Sequence, residues 1–278
     1  MSTSGPGIVA AARRTFDGCS DQAFDPALRL FLRDMVRPYG LPLRDDLLTG
    51  GAGHSYGEMA EQLIHDVTTP DEPIDLVVLA FGIHDIRLGR ATATFLADVC
   101  PGDPMAFAVC DQGTSAAFTA LRLIREYDMC ARSLLLVAEQ SALHYLPAGP
   151  AVVPDRHAAV ALLCERQATG ANLVRQHADV SPRLATGLLA DDVAALADGR
   201  SDVTLVLGGG LVDLADLAVV DDIVLAPPGQ PFTGPWWALA GGLAGWQAGG
   251  RLVVLAEYDP ALRYLSVSSL DVPARVPA

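Results

Sequence analysis

The sequence contains no lysine, so its 19 basic side chains are all arginine, and these face 33 aspartate and glutamate residues. The formal net charge is −14, and the arginines are scattered along the chain. Nucleic-acid binding depends on clustered basic side chains that neutralise phosphates. The charge pattern therefore argues against a nucleic-acid partner.

Long apolar runs are also missing, because no stretch of eighteen or more apolar residues occurs in the sequence. A membrane-spanning helix needs such a stretch. Residues 1–7 are small and polar and lack the basic-then-apolar order of a secretory signal. We therefore expect a cytoplasmic protein without a membrane partner.

Paired cysteines are the third absence. The five cysteines are odd in number and widely spaced, and no C-x-x-C pair occurs among Cys19, Cys100, Cys110, Cys130 and Cys164. Structural zinc sites and redox dithiols use closely spaced pairs. We expect mostly buried free thiols, and neither a metal nor a cofactor.

The sequence does contain an alternation of buried strands and amphipathic helices. Short aliphatic runs at Ile74–Phe81, Met105–Cys110 and Ser133–Ala138 predict strands that are buried on both faces. Helical spacing of apolar residues at Ser55–Val67 and Thr114–Tyr127 predicts helices that precede and connect them. This order is typical of an α/β layered sheet.

The remainder of the chain repeats the alternation with shorter connections. The predicted elements are strands at His157–Cys164, Asn172–Val180, Asp202–Leu207, Arg251–Glu257 and Leu262–Leu270, and helices at Leu188–Leu196 and Trp236–Gln247. We therefore predict two α/β halves, residues 1–170 and a shortened half at 171–278, packed as one body.

Several landmarks of the first half occur in the order found in one enzyme family. They are Ile74–Val78, His84-Asp85, Ala91–Ala93, the strand and turn Ala106–Gly113, Phe118–Leu123 and Leu134–Gln140. In this order the segment resembles the first half of ketosynthase III (β-ketoacyl-[acyl carrier protein] synthase III), the initiating condensing enzyme of fatty-acid and polyketide synthesis. The resemblance covers Ser55–Cys164 well and Asp202–Leu270 more loosely.

The resemblance implies a thiolase-like, five-layered sandwich of two duplicated α/β halves that forms a dimer. It also implies a thioester partner, either acyl carrier protein or acyl-CoA. Residues 38–54 contain nothing like the family's coenzyme A-binding Trp and Arg, which favours the carrier protein. Because carrier proteins are acidic, docking on this acidic chain would need a local basic patch, for which Arg87, Arg90 and Arg122 are candidates.

The three catalytic positions of the family carry other residues here. The position of the nucleophilic cysteine falls on Thr114, the histidine position falls in Gly208–Gly210, and the asparagine loop corresponds to Pro227–Pro235, which contains no asparagine. A helix N-terminus stabilises a thiolate, whereas a threonine hydroxyl needs a nearby base to act as a nucleophile. The alternative role for Thr114 is a helix cap.

Other residues are candidates for a replacement site. His84, which precedes Asp85, and His144 are candidate catalytic bases for Thr114, and the alternative for each is a histidine without a role. The candidate substrate-binding residues are Asp111, Gln112, Thr233 and Trp236. Asp111 and Gln112 could instead hold a turn, and Trp236 could instead belong to the core.

Two functions remain open from the sequence. The first is acyl transfer or condensation on a thioester in specialised polyketide- or fatty-acid-type biosynthesis. The second is a non-catalytic partner, comparable to the chain-length factors that pair with active ketosynthases. In either case we expect a homodimer, or a heterodimer with a ketosynthase, through the strand Met105–Cys110.

Overall fold

The computed structural model describes residues 6–87, 90–166, 173–214, 220 and 222–274. Within these residues, ten strands form two five-stranded sheets. The first sheet has the spatial order β1-β5-β4-β2-β3. Its strands are β1 (Pro6–Phe16), β2 (Leu76–Phe81), β3 (Met105–Val109), β4 (Arg132–Glu139) and β5 (His157–Arg166).

The second sheet repeats the topology of the first, with the order β6-β10-β9-β7-β8. Its strands are β6 (Leu173–His177), β7 (Val203–Leu207), β8 (Asp222–Leu225), β9 (Arg251–Asp259) and β10 (Tyr264–Val272). β2 is parallel to both of its neighbours and so is β7, while β5 and β10 are antiparallel to theirs. The duplication expected from the sequence is therefore present in the strand connections. The boundary expected at residues 170 and 171 lies outside the described residues.

Seven helices of the described residues complete the fold. They are α1 (Pro26–Val36), α2 (Asp45–Thr49), α3 (Tyr56–Val67), α4 (Thr92–Val99), α5 (Ala116–Glu126), α6 (Pro182–Ala197) and α7 (Gly234–Gly249). α5 and α7 lie between the two sheets, and one core cluster joins both helices to both sheets. α3 and α4 cover the outer face of the first sheet, and α6 covers the outer face of the second. The result is the predicted five-layered sandwich.

The central layer is held together by large apolar side chains. Phe118 of α5 and Trp236 of α7 are both fully buried, and their ring centroids lie 4.9 Å apart. Full burial of an aromatic side chain stabilises a fold by roughly 1.5–3 kcal/mol. This packing fixes the starts of α5 and α7 beside each other between the sheets.

The shortening of the second half is visible in its outer layer. Where the first half has two outer helices, the described part of the second half has one, α6, and residues 209–214 form only a 3₁₀ helix between β7 and β8. α6 starts earlier than the sequence predicted, at Pro182, because proline is well suited to the first turn of a helix. α5 starts later than predicted, at Ala116 rather than Thr114.

Candidate functional site

The start of α5 is the centre of the candidate site. Thr114 lies in a 3₁₀ turn, Gly113–Ser115, directly before α5, and it is only 9% exposed. Its backbone N–H donates a hydrogen bond of 3.1 Å to Oδ2 of Asp259. Its own hydroxyl has no hydrogen-bond partner among the described residues. The predicted capping role of the Thr114 side chain is therefore wrong, because a carboxylate from the other half takes the place of the cap.

Asp259, at the end of β9, connects the two halves at this point. Oδ1 of its carboxylate accepts hydrogen bonds from the backbone N–H groups of Ala261 and Leu262, at 3.0 and 2.9 Å. Gly113 has a left-handed backbone (φ 53°), and a Cβ atom at this position would overlap Oδ2 of Asp259. The start of α5 is thus built around a buried carboxylate. A second anion there, such as a thiolate, would be disfavoured by like-charge repulsion.

The space beside Thr114 is closed. It is lined by Thr114, Phe81, Val137 and Phe232, among others, and has no volume that a water molecule could occupy. The ring of Phe232 lies against Gly82, where any Cβ atom would overlap it. In this arrangement neither water nor a substrate reaches the Thr114 hydroxyl.

A second buried carboxylate, Glu139 at the end of β4, makes the equivalent contact from the first half to the second half. Oε2 of Glu139 accepts hydrogen bonds from the N–H groups of Phe232 and Thr233, at 2.9 and 3.1 Å, just before α7. Oε1 accepts a hydrogen bond of 2.6 Å from the Thr233 hydroxyl. Burial raises the pKa of Glu139 to about 7, although these donors oppose the rise. Each half therefore supplies a carboxylate to the start of the other half's central helix.

A third buried carboxylate stands where the resemblance places the family's histidine. Oε1 of Glu257 accepts hydrogen bonds from the N–H groups of Gly210 and Tyr258, at 2.9 and 2.8 Å, while Oε2 has no partner. Burial raises the pKa of Glu257 to about 7. A Cβ atom at Gly208 would overlap this carboxylate, and one at Gly210 would overlap the Tyr258 carbonyl oxygen. A histidine side chain therefore has no room at either glycine.

The candidate base His84 is not paired with Asp85. Asp85 accepts hydrogen bonds from the backbone N–H groups of Tyr56 and Arg87 and from the Thr92 hydroxyl. His84 stacks on Tyr145 instead, with ring centroids 5.9 Å apart. Burial lowers the pKa of His84, with a further contribution from a neighbouring histidine. His84 therefore lies beside an aromatic ring, in surroundings that favour the neutral imidazole.

The other predicted site residues are placed as follows. His144 is buried, and its Nε2 lies 2.7 Å from the Ala52 carbonyl oxygen. Burial lowers the pKa of His144 as well. Trp236 is fully buried in the core, and Thr233 is fully buried with its hydroxyl committed to Glu139. Neither Thr233 nor Trp236 lies on a surface that a substrate reaches.

An open cavity lies next to the closed space, and we call it the principal pocket. It has a volume of about 600 Å³. Its lining comprises residues 81–84, Cys110, Asp111, Gly113, Leu143, Tyr145, Pro147, residues 150–152, Phe232, Asp259, Ala261 and Leu262. It brings together two predicted site residues, His84 and Asp111, with the thiol of Cys110. Burial raises the pKa of Cys110, and the charge of Asp111 adds to the rise.

The predicted arginine patch is divided between different parts of the surface. The guanidinium of Arg90 lies 3.7 Å from the centroid of the Phe95 ring on α4. Arg122 is on the exposed side of α5. α4 lies on the outer face of the first sheet and α5 between the sheets, so Arg90 and Arg122 lie in different layers. Carrier docking on one such patch remains a prediction.

Sequence reasoning missed the three buried carboxylates and Phe232. Glu139 and Glu257 stand in apolar strands, where an ionisable residue is uncommon and is a signal for an internal role. Asp259 precedes a proline, a local pattern that indicates only a turn. Its contact with Thr114, 145 positions earlier, has no local sequence signature.

Among the described residues, no group of three or more His, Cys, Asp or Glu side chains could hold a metal ion. No helix in this part of the chain is long and apolar enough to cross a membrane.

No protein-family model matches the sequence, and no curated protein matches it. Solved structures do match. The β-ketoacyl-[acyl carrier protein] synthase III of Thermus thermophilus is similar with a TM-score of 0.65 at 14% identity, over 97% of this chain and 100% of that one. The tetronic acid condensing enzyme AbyA1 gives a TM-score of 0.64 at 20% identity, over 96% and 99%. The acyltransferase ChlB3 gives 0.63 at 15% identity, over 97% and 98%. The chain therefore has the thiolase-like fold of ketosynthase III structures, as the resemblance predicted.

Proposed function

We propose that this chain is a ketosynthase III-like protein that binds acyl thioesters and acts as a non-catalytic partner of an active ketosynthase. The observation that carries the proposal is the hydrogen bond from the Thr114 N–H to Asp259. In the family this helix start stabilises the nucleophilic thiolate. Here it already holds a buried carboxylate.

The surroundings of Thr114 support the same conclusion. Its hydroxyl would need a base within hydrogen-bond reach to act as a nucleophile, and it has no hydrogen-bond partner. Where the resemblance implies the family's histidine, the Glu257 carboxylate packs on Gly208 and Gly210. Loss of a single donor that stabilises an oxyanion typically costs about 3–4 kcal/mol of barrier. Loss of both the nucleophile and such donors is inconsistent with conventional condensation.

Binding of a thioester is supported by the principal pocket. Its volume of about 600 Å³ lies within the range of roughly 300–1,000 Å³ that is usual for small-molecule sites. Its walls combine apolar side chains, such as Leu143, Val152 and Phe232, with a few polar groups, as acyl-chain sites require. We therefore propose that the acyl group of a carrier-protein or coenzyme A thioester occupies this pocket.

Acyl transfer or condensation in polyketide- or fatty-acid-type biosynthesis is the second candidate function. Cys110 and His84 both line the principal pocket, so a thiol and an imidazole face the same cavity. Against this candidate, burial and the charge of Asp111 raise the pKa of Cys110, which lowers its thiolate fraction.

Intact-mass spectrometry separates these functions. The chain is incubated with octanoyl-carrier protein and octanoyl-CoA, and we expect its mass to remain unchanged. Binding without reaction is measured by calorimetry with an octanoyl-pantetheine analogue whose thioester is replaced by a thioether. A mass gain of one octanoyl group at Thr114 or Cys110 would refute the non-catalytic function.

Two neighbouring valines provide a matched pair for the binding measurement. Val152 lines the principal pocket and is 46% exposed, whereas Val153 is 38% exposed and lies outside that lining. We expect Val152→Trp to fill the pocket and abolish binding of the analogue, and Val153→Trp to leave it unchanged. Equal binding by both variants would contradict the assignment of the pocket.

A further inference from the structure

A second cavity, the lateral pocket, lies between α5 and the edge strand β6 and has a volume of about 440 Å³. Residues of both halves line it, among them Asp111, Thr119 and Arg122 of the first half and Gln176, Ala178 and Leu262 of the second. Asp111 and Leu262 line the principal pocket as well. The two cavities therefore share a wall.

A chain of neutral hydrogen bonds holds the inner side of the lateral pocket. The Thr119 hydroxyl donates to Oε1 of Gln112 at 2.6 Å and accepts from Nε2 of Gln176 at 3.0 Å. The Ser266 hydroxyl donates to the Ser115 hydroxyl at 3.1 Å. The bonds from Gln176 and Ser266 cross between the halves, so the polar side chains are held in position before any ligand binds.

The two charged groups of the lateral pocket have few partners among the described residues. Within these residues, Arg122 makes no ion pair and no hydrogen bond. In the same part of the chain, the Asp111 carboxylate receives one weak hydrogen bond, from the Cys110 thiol at 3.5 Å, and no ion pair. A guanidinium and a carboxylate therefore line the same small cavity without pairing with each other.

We propose that the lateral pocket binds a small zwitterion that carries both an ammonium and a carboxylate group, as α-amino acids do. The guanidinium of Arg122 binds the carboxylate, because its planar donors match a carboxylate in pairs. The carboxylate of Asp111 accepts hydrogen bonds from the ammonium group. The amide and hydroxyl groups around them supply further hydrogen bonds, and Leu262 and Ala178 contact the apolar part of the ligand. Because Asp111 is in the shared wall, the bound ammonium lies next to the principal pocket.

Three matched probes test the need for both charges. Norleucine has both groups, hexanoate keeps the carboxylate alone, and pentylamine keeps the ammonium alone. Binding to the wild-type chain is measured by calorimetry and by saturation-transfer NMR. We expect norleucine to bind at least about tenfold more tightly than either analogue, because each analogue loses the charge-assisted hydrogen bonds to one of the two charged groups. Equal binding of hexanoate, or no binding of norleucine, would overturn the proposal.

Charge-neutralising variants locate the binding. We expect Arg122→Gln and Asp111→Asn each to weaken norleucine binding by about tenfold or more. Asn tolerates the left-handed backbone of Asp111 (φ 60°), so this variant is expected to fold, which a thermal melt verifies. Arg125→Gln on the same helix and Asp128→Asn make the same charge changes outside the pocket lining. The proposal is wrong if these controls weaken binding as much as the pocket variants do.

Discussion

The buried carboxyl of Glu139 gives a quantitative test of how the two halves are joined. Glu139 is 1% exposed, and burial raises its pKa from the ordinary value of 4.5 to about 7. A rise of this size means that the folded protein favours the protonated form by on the order of 3 kcal/mol. At high pH the carboxyl is ionised. Its hydrogen bonds to the start of α7 are then made by a buried charge, which lowers the free energy of unfolding.

The sign of the pH dependence follows from proton binding. Below about pH 4.5 the carboxyl is protonated in both the folded and the unfolded chain. Between 4.5 and about 7 the unfolded chain releases the proton while the folded chain retains it, so the free energy of unfolding falls as pH rises. Above about 7 both states are ionised, and the loss is complete.

The variant Glu139→Gln removes this dependence. A glutamine is neutral at every pH, and its side-chain oxygen can accept the two N–H hydrogen bonds while its amide donates to the Thr233 hydroxyl. We therefore expect the variant's stability relative to wild type to increase by on the order of 3 kcal/mol between about pH 4 and pH 8. The comparison is made at equal pH because His157, whose pKa burial lowers to about 4, changes stability in the opposite direction in both proteins.

Urea unfolding followed by tryptophan fluorescence measures the difference. Glu126→Gln, at the exposed end of α5, is the matched control for replacing a carboxylate by an amide outside the buried contact. A stability difference between Glu139→Gln and wild type that does not change with pH would refute the reasoning. It would show that the Glu139 carboxyl ionises in the folded protein as it does in the unfolded chain.

Three further predictions concern the helix start, the glycine turn and the edge strand. Thr114→Ala should change the free energy of unfolding by less than about 1 kcal/mol, because the hydroxyl has no hydrogen-bond partner among the described residues. The variant should also leave the output of a reconstituted pathway unchanged. A collapse of output with an unchanged thermal melt would make Thr114 catalytic. Gly208→Ala should destabilise the fold by about 1–3 kcal/mol in urea unfolding, because its Cβ atom overlaps Glu257. Gly209→Ala should not, because a Cβ atom there meets nothing within 4 Å. Equal destabilisation by the two variants would contradict the packing of Glu257 on Gly208. Ala108→Arg, on the exposed edge of β3, should weaken the proposed dimer as measured by light scattering. The control Leu184→Arg, on α6, should not. A wild-type chain that is monomeric both alone and co-expressed with a ketosynthase would refute the dimer.

The layered fold could be predicted from the sequence because its signals are local. The apolar runs of β2 and β4 are continuous, as burial on both faces requires. The capping box of α3, formed by Ser55 and Glu58, lies within four residues. β1 was not predicted, because its sequence becomes a strand only by pairing along β5.

Of the candidate site, the sequence predicted the location in the fold but not the contacts of its side chains. The sequence located Thr114 at the start of the central helix, and the resemblance implied that other residues stand at the family's cysteine, histidine and asparagine positions. It did not show the hydroxyl of Thr114 without a partner, the histidine His84 stacked on Tyr145, or Trp236 fully buried in the core.

The sequence by itself determined which residue types are available and where most of the central strands and helices form, since the spacing of apolar residues that predicts them is local. The tertiary structure decided the chemistry of the helix starts, because Asp259 and Thr114 are separated by 145 positions and Glu139 and Thr233 by 94. Such contacts arise only when two duplicated halves pack face to face. Burial between those halves then raises the pKa of Glu139 to about 7, a property that the free side chain does not have.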